Sequence, residues 1–424
     1  MADDNVEKTD KPEKSKKVAD APYQGSLSQA LAYKPIYYDP KIGGKLYDSD
    51  IAVFRIAVPE KPVPIKFTPS SQFKSKVLEK LDGEAKNILT ALDYYYFKDT
   101  DFYAAAQDKR LDFYYKLKHE VAEKLKHPVT NAYLKMRELA IHFDMLDGVN
   151  KVFCNAELPG NFILAIRDLR PDMEVIASSY MPDDWSDNPK NILEDKYDLM
   201  KNNPDMWLIK PGRAADFNGD VTKPENLDYI IKHVGRESVD MYTSDIGIKV
   251  ASEDYHRGEE VRFPLYIGAV IHGIATLKKG GKILLKEFTY SNSYGLASLA
   301  FLGTLFDEYY ITKPITSRKY NHEIYVYGTG FRGISDAELA QLRAYQAKIR
   351  DGDRSETIID LNAAPAPLLD GLINARRILS QRNIAYHEEL LHLFNTHSIR
   401  IPEGLHNHIM QDWTSKYLSD TKSS

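Results

Sequence analysis

The sequence lacks several features that mark common protein classes. Cys154 is the single cysteine among 424 residues, so no intrachain disulfide can form and a reducing compartment is expected. The longest apolar stretches, around 263–277 and 294–306, are shorter than the roughly 20 residues that a membrane-spanning helix needs. The charged segment 1–17 contains no apolar core typical of a secretory signal. We therefore expect a soluble cytoplasmic protein.

The chain also lacks a strong excess of positive charge. Its formal net charge of −5 argues against a protein that binds nucleic acid over its whole surface. A local basic groove stays open, because attraction of a ligand depends on the local field. Tyrosine is abundant, with 28 residues, and tyrosine rings can pack in a core or stack on bases.

The composition divides the chain into four regions. Residues 1–20 carry almost no large apolar side chains and predict a disordered tail. Residues 21–127 form an N-terminal accessory region, with helices predicted over 75–96 and 104–126 and with irregular or edge structure near Pro59, Pro62 and Pro64. The lysines of the second helix are diluted by acidic residues, so they predict a solvated face, with an RNA-facing stripe as the alternative.

Between 128 and 333 the pattern alternates between helix and strand. Helices are predicted at 131–144, from 160–166 onward, at 263–277 with Gly280-Gly281 as the break, and at 296–306. Strands are predicted at 151–154, 238–242, 282–287, 309–312 and 323–327. This alternation predicts a Rossmann-like α/β fold, an open and mostly parallel sheet with helices on both faces and an antiparallel last strand.

The region 334–424 is predicted to be a helical C-terminal extension. Ser335-x-x-Glu338 is a capping box that opens a helix to about Arg350, and further amphipathic segments follow over 366–419. A partner protein or a second copy of the chain could dock on this extension.

Charged residues follow several of the predicted strands. Asp245 comes after the strand near 239–242, Lys286 directly follows 283–285, and Glu323 begins the last strand. In an open α/β sheet, ligands bind at the carboxyl ends of the strands, so these charges are expected to converge on one rim. The turn Pro159-Gly160 stands beside a helix start, where free N–H groups could hold a carboxylate; an ordinary strand-to-helix turn explains it as well.

These residues, taken together, resemble the FtsJ-like RNA 2′-O-methyltransferases, especially the cap-modifying branch. The resemblance extends over 133–327. Six motifs occur in the family's order, at Lys135 with Glu138, 156–162, 219–221, 243–245, 280–286 and 317–326.

The resemblance implies S-adenosyl-L-methionine as the cofactor, capped RNA as the partner, and no metal. It implies a catalytic tetrad of Lys135, Asp245, Lys286 and Glu323, in which Lys286 is the base. An alkylamine accepts a proton near neutral pH only where burial or a second cation disfavours its charged form, and Lys135 would be that cation. The implied cofactor-binding residues are Ala156, Glu157, Pro159, Gly160, Asn161, Phe162, Asp220 and Asp245.

Two positions depart from the family's pattern. Cys154 stands where the family usually has Asp, and Asn161 where it has a second glycine or alanine. No clear acid for the cofactor ribose follows 173–178; Glu157 or a residue near Asp183 could replace it. The altered loop motivates an alternative function, a catalytically silent RNA-binding or scaffold protein on a methyltransferase fold.

Three further patterns favour less specific readings. The run 328–333 matches G-x-G-x-x-G, but the helix that a dinucleotide fingerprint would open is delayed to Ser335. His387 and His392 are five residues apart, so they do not share a helix face as a zinc pair would. Cys154 is interpreted as a small buried hydrophobe rather than a nucleophile.

Overall fold

A computed structural model describes residues 25–39, 41, 50–98, 114–181, 195–209, 217–248, 257–397 and 404–418. The predicted tail 1–20, residues 104–113 of the predicted second helix, and the position near Asp183 lie outside these described residues.

A seven-stranded mixed sheet organises the protein, in the order β1-β7-β8-β6-β5-β3-β4. A separate two-stranded ribbon pairs β2 with β9. The strands are β1 Ala52–Ile56, β2 Thr68–Pro69, β3 Lys151–Asn155, β4 Glu174–Ala177, β5 Val239–Ser244, β6 Leu277–Glu287, β7 Phe306–Lys313, β8 Ile324–Phe331 and β9 Glu356–Thr357.

Helices cover the sheet and form the C-terminal extension. In chain order the α-helices are α1 Leu27–Ala32, α2 Lys76–Lys98, α3 Tyr115–Leu125, α4 Asn131–His142, α5 Asn161–Leu169, α6 Leu199–Asn202, α7 Asn226–His233, α8 Gly258–Thr276, α9 Ser293–Thr304, α10 Asp336–Arg350, α11 Ala366–Asn395 and α12 Leu405–Tyr417. In the described residues, no helix is both long and apolar enough to cross a membrane.

The predicted fold class is confirmed. Strands β4, β3, β5 and β6 are parallel, and β8 lies antiparallel between β6 and β7. The antiparallel last strand is therefore inserted into the sheet rather than added at its edge. The capping box is also confirmed: the Ser335 hydroxyl accepts from the Glu338 N–H, and the Glu338 carboxylate accepts from the Ser335 N–H.

The accessory region contributes an edge strand that the sequence analysis does not predict. β1 pairs antiparallel with β7, from Ala52 opposite Lys313 to Ile56 opposite Tyr309. Only Ile56 of this strand is fully buried, so its five residues lack the strong alternation that would identify a strand. The prolines at 59, 62 and 64 follow it, as expected beside an edge.

The prediction that Gly280-Gly281 ends the helix after 263 is wrong. α8 ends at Thr276 and β6 begins at the next residue. The glycines lie inside β6, where the register with β5 shifts between Val239 and Met241 and Gly280 takes a φ of +80°. A bulge needs such a left-handed residue, which explains the glycine without a helix stop.

The same helix also begins earlier than predicted, at Gly258, and contains Pro264 in its interior. Proline cannot donate to the carbonyl four residues before it, which is that of Glu260. The Arg354 guanidinium donates to this carbonyl at 3.4 Å instead. A hydrogen bond from the distant C-terminal region thus replaces the one that proline removes, a compensation that local sequence cannot reveal.

Candidate active site

The sheet brings the four predicted tetrad residues to one rim. Asp245 directly follows β5, and its neighbour Ser244 pairs with Leu285, so Lys286 lies beside it on β6. Lys286 faces Tyr325 across the antiparallel β6–β8 pair, and residues opposite each other share a face of the sheet. Glu323 stands two residues before Tyr325, the spacing that returns a strand to the same face.

The fourth residue, Lys135, comes from α4, which precedes the first strand of the parallel set. The Thr130 hydroxyl caps this helix by accepting from the N–H groups of Ala132 and Tyr133. Lys135 lies in the second turn of α4 and is only 8% exposed, so its amine reaches the rim from within the protein.

The tetrad consists of two ion pairs. Lys135 Nζ lies 2.7 Å from Glu323 Oε1, and both side chains are about nine-tenths buried. Lys286 Nζ lies 3.1 Å from Asp245 Oδ1 and donates at 2.6 Å to the Asp245 carbonyl. Tyr325 joins the pairs: its hydroxyl donates to Asp245 Oδ1 at 3.2 Å, and its ring centre lies 5.7 Å from Lys135 Nζ.

Electrostatics hold the inner pair ionised despite its burial. Burial opposes the charge on Lys135, but the carboxylates of Glu323 and Asp245 outweigh it and raise the pKa of the ammonium. Burial likewise opposes the charge on Glu323, but Lys135, Lys286 and Lys313 lower the pKa of its carboxyl to about 2. The ion pair therefore holds Lys135 as a fixed cation within the tetrad, and its role as the second cation for Lys286 stays a prediction.

A cavity of about 660 Å³ opens beside Lys286 and Asp245. Most of the predicted cofactor residues line it, whereas Gly160 and Phe162 lie behind its wall. The predicted residues among its lining are Ala156, Glu157, Pro159, Asn161, Asp220 and Asp245. Sequence reasoning does not single out Ser179, Tyr180, Lys196 and Tyr197, which also line it; nothing in their local pattern distinguishes them from loop residues.

The helix start after Pro159-Gly160 is partly taken up by a side chain of the same loop. The Phe162 N–H donates to Glu157 Oε1 at 2.7 Å, so the chain's own carboxylate occupies the N-terminus of α5. Glu157 is fully enclosed, and burial, followed by the nearby Asp245 charge, raises the pKa of its carboxyl well above the ordinary value. The carboxyl group that caps α5 is thus enclosed within the protein.

Asp220 stands at the opposite wall of this cavity. Its Oδ1 accepts from the Thr222 N–H at 2.9 Å and from the Thr222 hydroxyl at 2.8 Å, which fixes a tight turn. Gly219 before it has a φ of +71°, and a Cβ there would lie 1.8 Å from the Ser179 carbonyl oxygen. The position therefore requires glycine, and the close approach of the two loops holds Asp220 in place.

The cavity fits a nucleoside joined to an amino acid, such as S-adenosylmethionine. Its volume lies within the range of roughly 300–1,000 Å³ typical of cofactor pockets. In the described part of the chain, Glu157 Oε2 and Asn161 Oδ1 are buried acceptors without a hydrogen-bond partner. Acceptors of this kind match the amino and hydroxyl donors of such a molecule. Gly247 leaves Lys286 open to the cavity, since a Cβ there would lie 3.3 Å from Lys286 Nζ.

Two further cavities are lined in part by tetrad residues. One of about 660 Å³ runs past Lys135 and Glu323 and is lined by Lys118 and His119 of α3 and by Arg318. The lysine-bearing helix of the accessory region therefore places part of its face next to the tetrad, as its RNA-facing alternative requires.

The other cavity, of about 480 Å³, lies between the N-terminal segment and α11 and shares Asn321 and Glu323 with the first. Its lining combines aromatic rings with carboxylates and with the basic side chains of Lys313, Lys319, Arg376 and Arg382. The rings are those of Tyr37, Tyr38, Phe288, Tyr290 and Tyr386, and the acids other than Glu323 are Asp39, Asp50 and Glu389. We call this space the aromatic pocket.

The remaining sequence patterns lie in structural positions. The glycines at 328 and 330 lie within β8, and the next helix starts only at Asp336, so the run opens no helix. His387 is buried in α11 with Nδ1 bonded to the Asn383 carbonyl at 2.8 Å. Cys154 is fully buried in β3, where burial raises the pKa of its thiol. The described residues contain no group of three or more His, Cys, Asp or Glu arranged to hold a metal.

Comparison with known proteins finds methyltransferases among the similar sequences. A 212-residue stretch is 36% identical to "Probable methyltransferase EP424R" of African swine fever virus and covers 47% of this chain and 49% of that protein. The chain is 23% identical over 285 residues to a cap-specific mRNA (nucleoside-2′-O-)-methyltransferase 2 of Drosophila melanogaster, covering 62% of this chain and 38% of that one. It is 28% identical over 150 residues to a cap-specific methyltransferase 1 of Trypanosoma brucei brucei, covering 35% and 40%.

The matches span about half the length of the viral relative and less of the cellular ones. Residues 128–331 match the family model described as FtsJ-like methyltransferase, and this segment contains all four tetrad residues and the cofactor-sized cavity. Through this segment, the chain is similar to the FtsJ-like methyltransferases.

Proposed function

We propose that the protein transfers a methyl group from S-adenosyl-L-methionine to a ribose 2′-hydroxyl of capped RNA. The observation that carries this proposal is the meeting of two lysine–carboxylate pairs beside a cofactor-sized cavity. Lys286 lines that cavity, while Lys135 and Glu323 line the second cavity of about 660 Å³, the one that runs past α3. An acceptor hydroxyl in this second cavity and a methyl donor in the cofactor-sized cavity would meet at the tetrad.

The bound cofactor supplies an electrophilic methyl group on a sulfonium. A 2′-hydroxyl attacks it well only as it loses its proton, and in this proposal Lys286 in its neutral form receives that proton at Nζ. Asp245 orients Lys286, and the Tyr325 hydroxyl donates to the same oxygen of Asp245. Lys135, fixed by Glu323, keeps a positive charge beside the reacting hydroxyl as the proton leaves. The remaining contribution to the rate comes from aligning the 2′-hydroxyl with the methyl group.

The aromatic pocket supports capped RNA as the substrate. A 7-methylated guanine is a cationic aromatic ring, so it favours stacking on tyrosines and contact with carboxylates. The pocket offers tyrosines and carboxylates and includes Glu323 in its lining, so a cap bound there would lie near the tetrad. The Drosophila and trypanosome relatives carry cap-specific names, in agreement with this assignment.

Glu388 of α11 shapes the aromatic pocket from behind. Its carboxylate accepts from the Tyr33 hydroxyl at 2.9 Å and from the N–H groups of Ile36, Tyr37 and Tyr38 at 2.8–2.9 Å. Four donors on one buried carboxylate fasten the N-terminal segment onto α11 and set the two tyrosines at the pocket wall.

We predict that Glu388→Gln weakens binding of capped RNA by roughly tenfold, because an amide N–H₂ would face backbone donors and release the segment. Cofactor affinity should stay unchanged. Fluorescence titration with capped and uncapped RNA measures this, with Asp370→Asn on the exposed side of the same helix as the control. Equal binding of capped RNA by Glu388→Gln and wild type would contradict the assignment of the pocket.

Asp220 provides a test of the cofactor cavity. We propose that it accepts from the adenine amino group, and we expect Asp220→Ala to weaken cofactor binding by roughly tenfold, the equivalent of one hydrogen bond to a charged acceptor. Asp220→Asn retains the turn to Thr222 but presents a donor to the adenine, so it should also bind weakly. Calorimetry with S-adenosylmethionine measures the dissociation constant of the cofactor. A dissociation constant equal to that of wild type for Asp220→Asn would mean that Asp220 shapes the turn and does not bind adenine.

The proposal is tested by incubating the protein with labelled S-adenosylmethionine and matched RNAs that differ only in the cap. Transfer to capped RNA above uncapped RNA supports it. Cofactor binding without preference for the cap would favour a structured-RNA methyltransferase. The absence of both cofactor binding and transfer would favour the silent RNA-binding or scaffold protein, with Cys154 and Asn161 as the first positions to revert.

A further inference from the structure

A helix outside the family match contacts the interior of the tetrad region. α12, Leu405–Tyr417, packs against α3 and α4 with Trp413 only 1% exposed. The Arg137 Nε of α4 donates to the Tyr417 carbonyl at 2.6 Å, which anchors the end of α12. This helix follows the family segment 128–331 by more than seventy residues and shares none of its motifs.

Trp413 donates from Nε1 to Glu138 Oε1 at 2.9 Å. Glu138 is completely buried on α4, one turn after Lys135. Its carboxylate also accepts from the Ile315 N–H at 2.7 Å, and from the N–H and hydroxyl of Thr316. One carboxylate thus joins α4, α12 and the loop after β7. Burial raises the pKa of Glu138 to about 7, and the hydrogen bonds from Thr316 and Trp413 favour its ionised form.

The loop held by Glu138 continues directly into the tetrad. Ser317, the next residue, donates from its hydroxyl to Glu323 Oε1 at 2.9 Å. The same oxygen accepts from Lys135 Nζ at 2.7 Å. An unbroken series of hydrogen bonds and one peptide link therefore connects Trp413 to Glu138, to Thr316-Ser317, and to the inner ion pair.

We propose that α12 positions the tetrad, with Trp413 as a positioning residue that sets Glu323 and Lys135 through Glu138 and Ser317. The inference rests on the proposed function and assigns a role to the C-terminal extension. Because Glu138 lies on the same helix as Lys135 and holds the loop next to Glu323, it fixes both members of the pair relative to each other. A displacement of either would misalign the cation beside the reacting hydroxyl, which costs rate rather than binding.

The test is a double-variant cycle on the rate of methyl transfer at saturating cofactor and RNA. Trp413→Phe keeps an aromatic ring against Tyr417 but removes the donor to Glu138. Ser317→Ala breaks the contact at Glu323. We expect each to lower kcat by roughly tenfold with cofactor and RNA dissociation constants within about twofold of wild type. The double variant should also lose roughly tenfold, because both changes break one series of contacts.

Tyr417→Phe on the same helix is the control, with an expected kcat within about twofold of wild type. Should Trp413→Phe fail to fold, Thr316→Val breaks the next contact and takes its place in the cycle. Losses that multiply to roughly a hundredfold, or that appear equally in cofactor affinity, would overturn the inference and leave Trp413 as a packing residue. A wild-type protein that transfers no methyl group would refute the proposed function and this inference together.

Discussion

Replacing Lys286 with alanine is expected to lower the rate of methyl transfer by on the order of 10²–10⁴-fold, the range that a positioned general base contributes. The amine reaches both the cofactor cavity and Asp245, so the change removes the proposed base from the cavity wall. Cofactor affinity and the unfolding temperature should change little, since the Asp245 carboxylate keeps its hydrogen bond from the Tyr325 hydroxyl. Lys286→Arg should fail as well, because a guanidinium stays protonated.

Lys278 supplies the control for Lys286. It lies on the same strand, but its amine pairs with Asp240 at the opposite end, and its side chain is 47% exposed. Lys278→Ala should therefore retain wild-type turnover. A folded Lys286→Ala protein with turnover close to wild type would eliminate Lys286 as the base.

Breaking the inner ion pair is expected to affect stability as well as activity. Glu323→Ala leaves the ammonium of Lys135 buried without its partner, and removal of one member of a buried pair costs about 3–5 kcal/mol of unfolding free energy. Chemical denaturation of the variant beside wild type measures the loss. Transfer activity should disappear with it, because the cation beside the hydroxyl is no longer held.

A double variant separates the two effects. Lys135→Met with Glu323→Gln removes both charges, so most of the lost unfolding free energy should return while transfer stays absent. Full activity in this stable double variant would show that the pair is structural, and it would contradict the tetrad. Stability as low as that of Glu323→Ala would instead show that the lost unfolding free energy does not come from an unpaired Lys135.

The same pair gives a pH dependence with a definite sign. The pKa of the Glu323 carboxyl is about 2, below its ordinary 4.5. The unfolded chain therefore binds the proton more readily, and the contribution of the pair is complete above about pH 4.5 and is lost as the pH falls toward 2. Glu323→Gln should flatten the stability profile across this acidic range, as followed by denaturation at a series of pH values.

The sequence predicted those parts of the molecule that depend on periodicity and on order along the chain. The alternation over 128–333 predicted the parallel strands and the reversed last strand, because burial on both faces leaves a continuous apolar pattern. The position of Lys286 directly after an apolar strand predicted its place at the rim. Asp245 followed from the same rule, since parallel strands end at one edge. Glu323 reaches that edge because β8 runs antiparallel and begins there.

The parts that the sequence did not predict depend on contacts between distant segments. Ser317, Tyr325 and Trp413 complete the tetrad's surroundings, but their partners lie on other elements and leave no local pattern. Glu157 lines the cavity as its motif position predicts, but the cap that its Oε1 forms on α5 is visible only in the folded loop. The fit of Pro264 into α8 likewise depends on Arg354, far along the chain.

The central claim is tested most directly by locating the transferred methyl group. Purified protein is incubated with S-adenosylmethionine carrying a labelled methyl group and with capped RNA, and the RNA is digested to nucleosides for mass spectrometry. We expect the label on a ribose 2′-oxygen next to the cap with wild type and with Lys278→Ala, and no label with Lys286→Ala. Label on a base, or equal labelling by Lys286→Ala, would contradict the account.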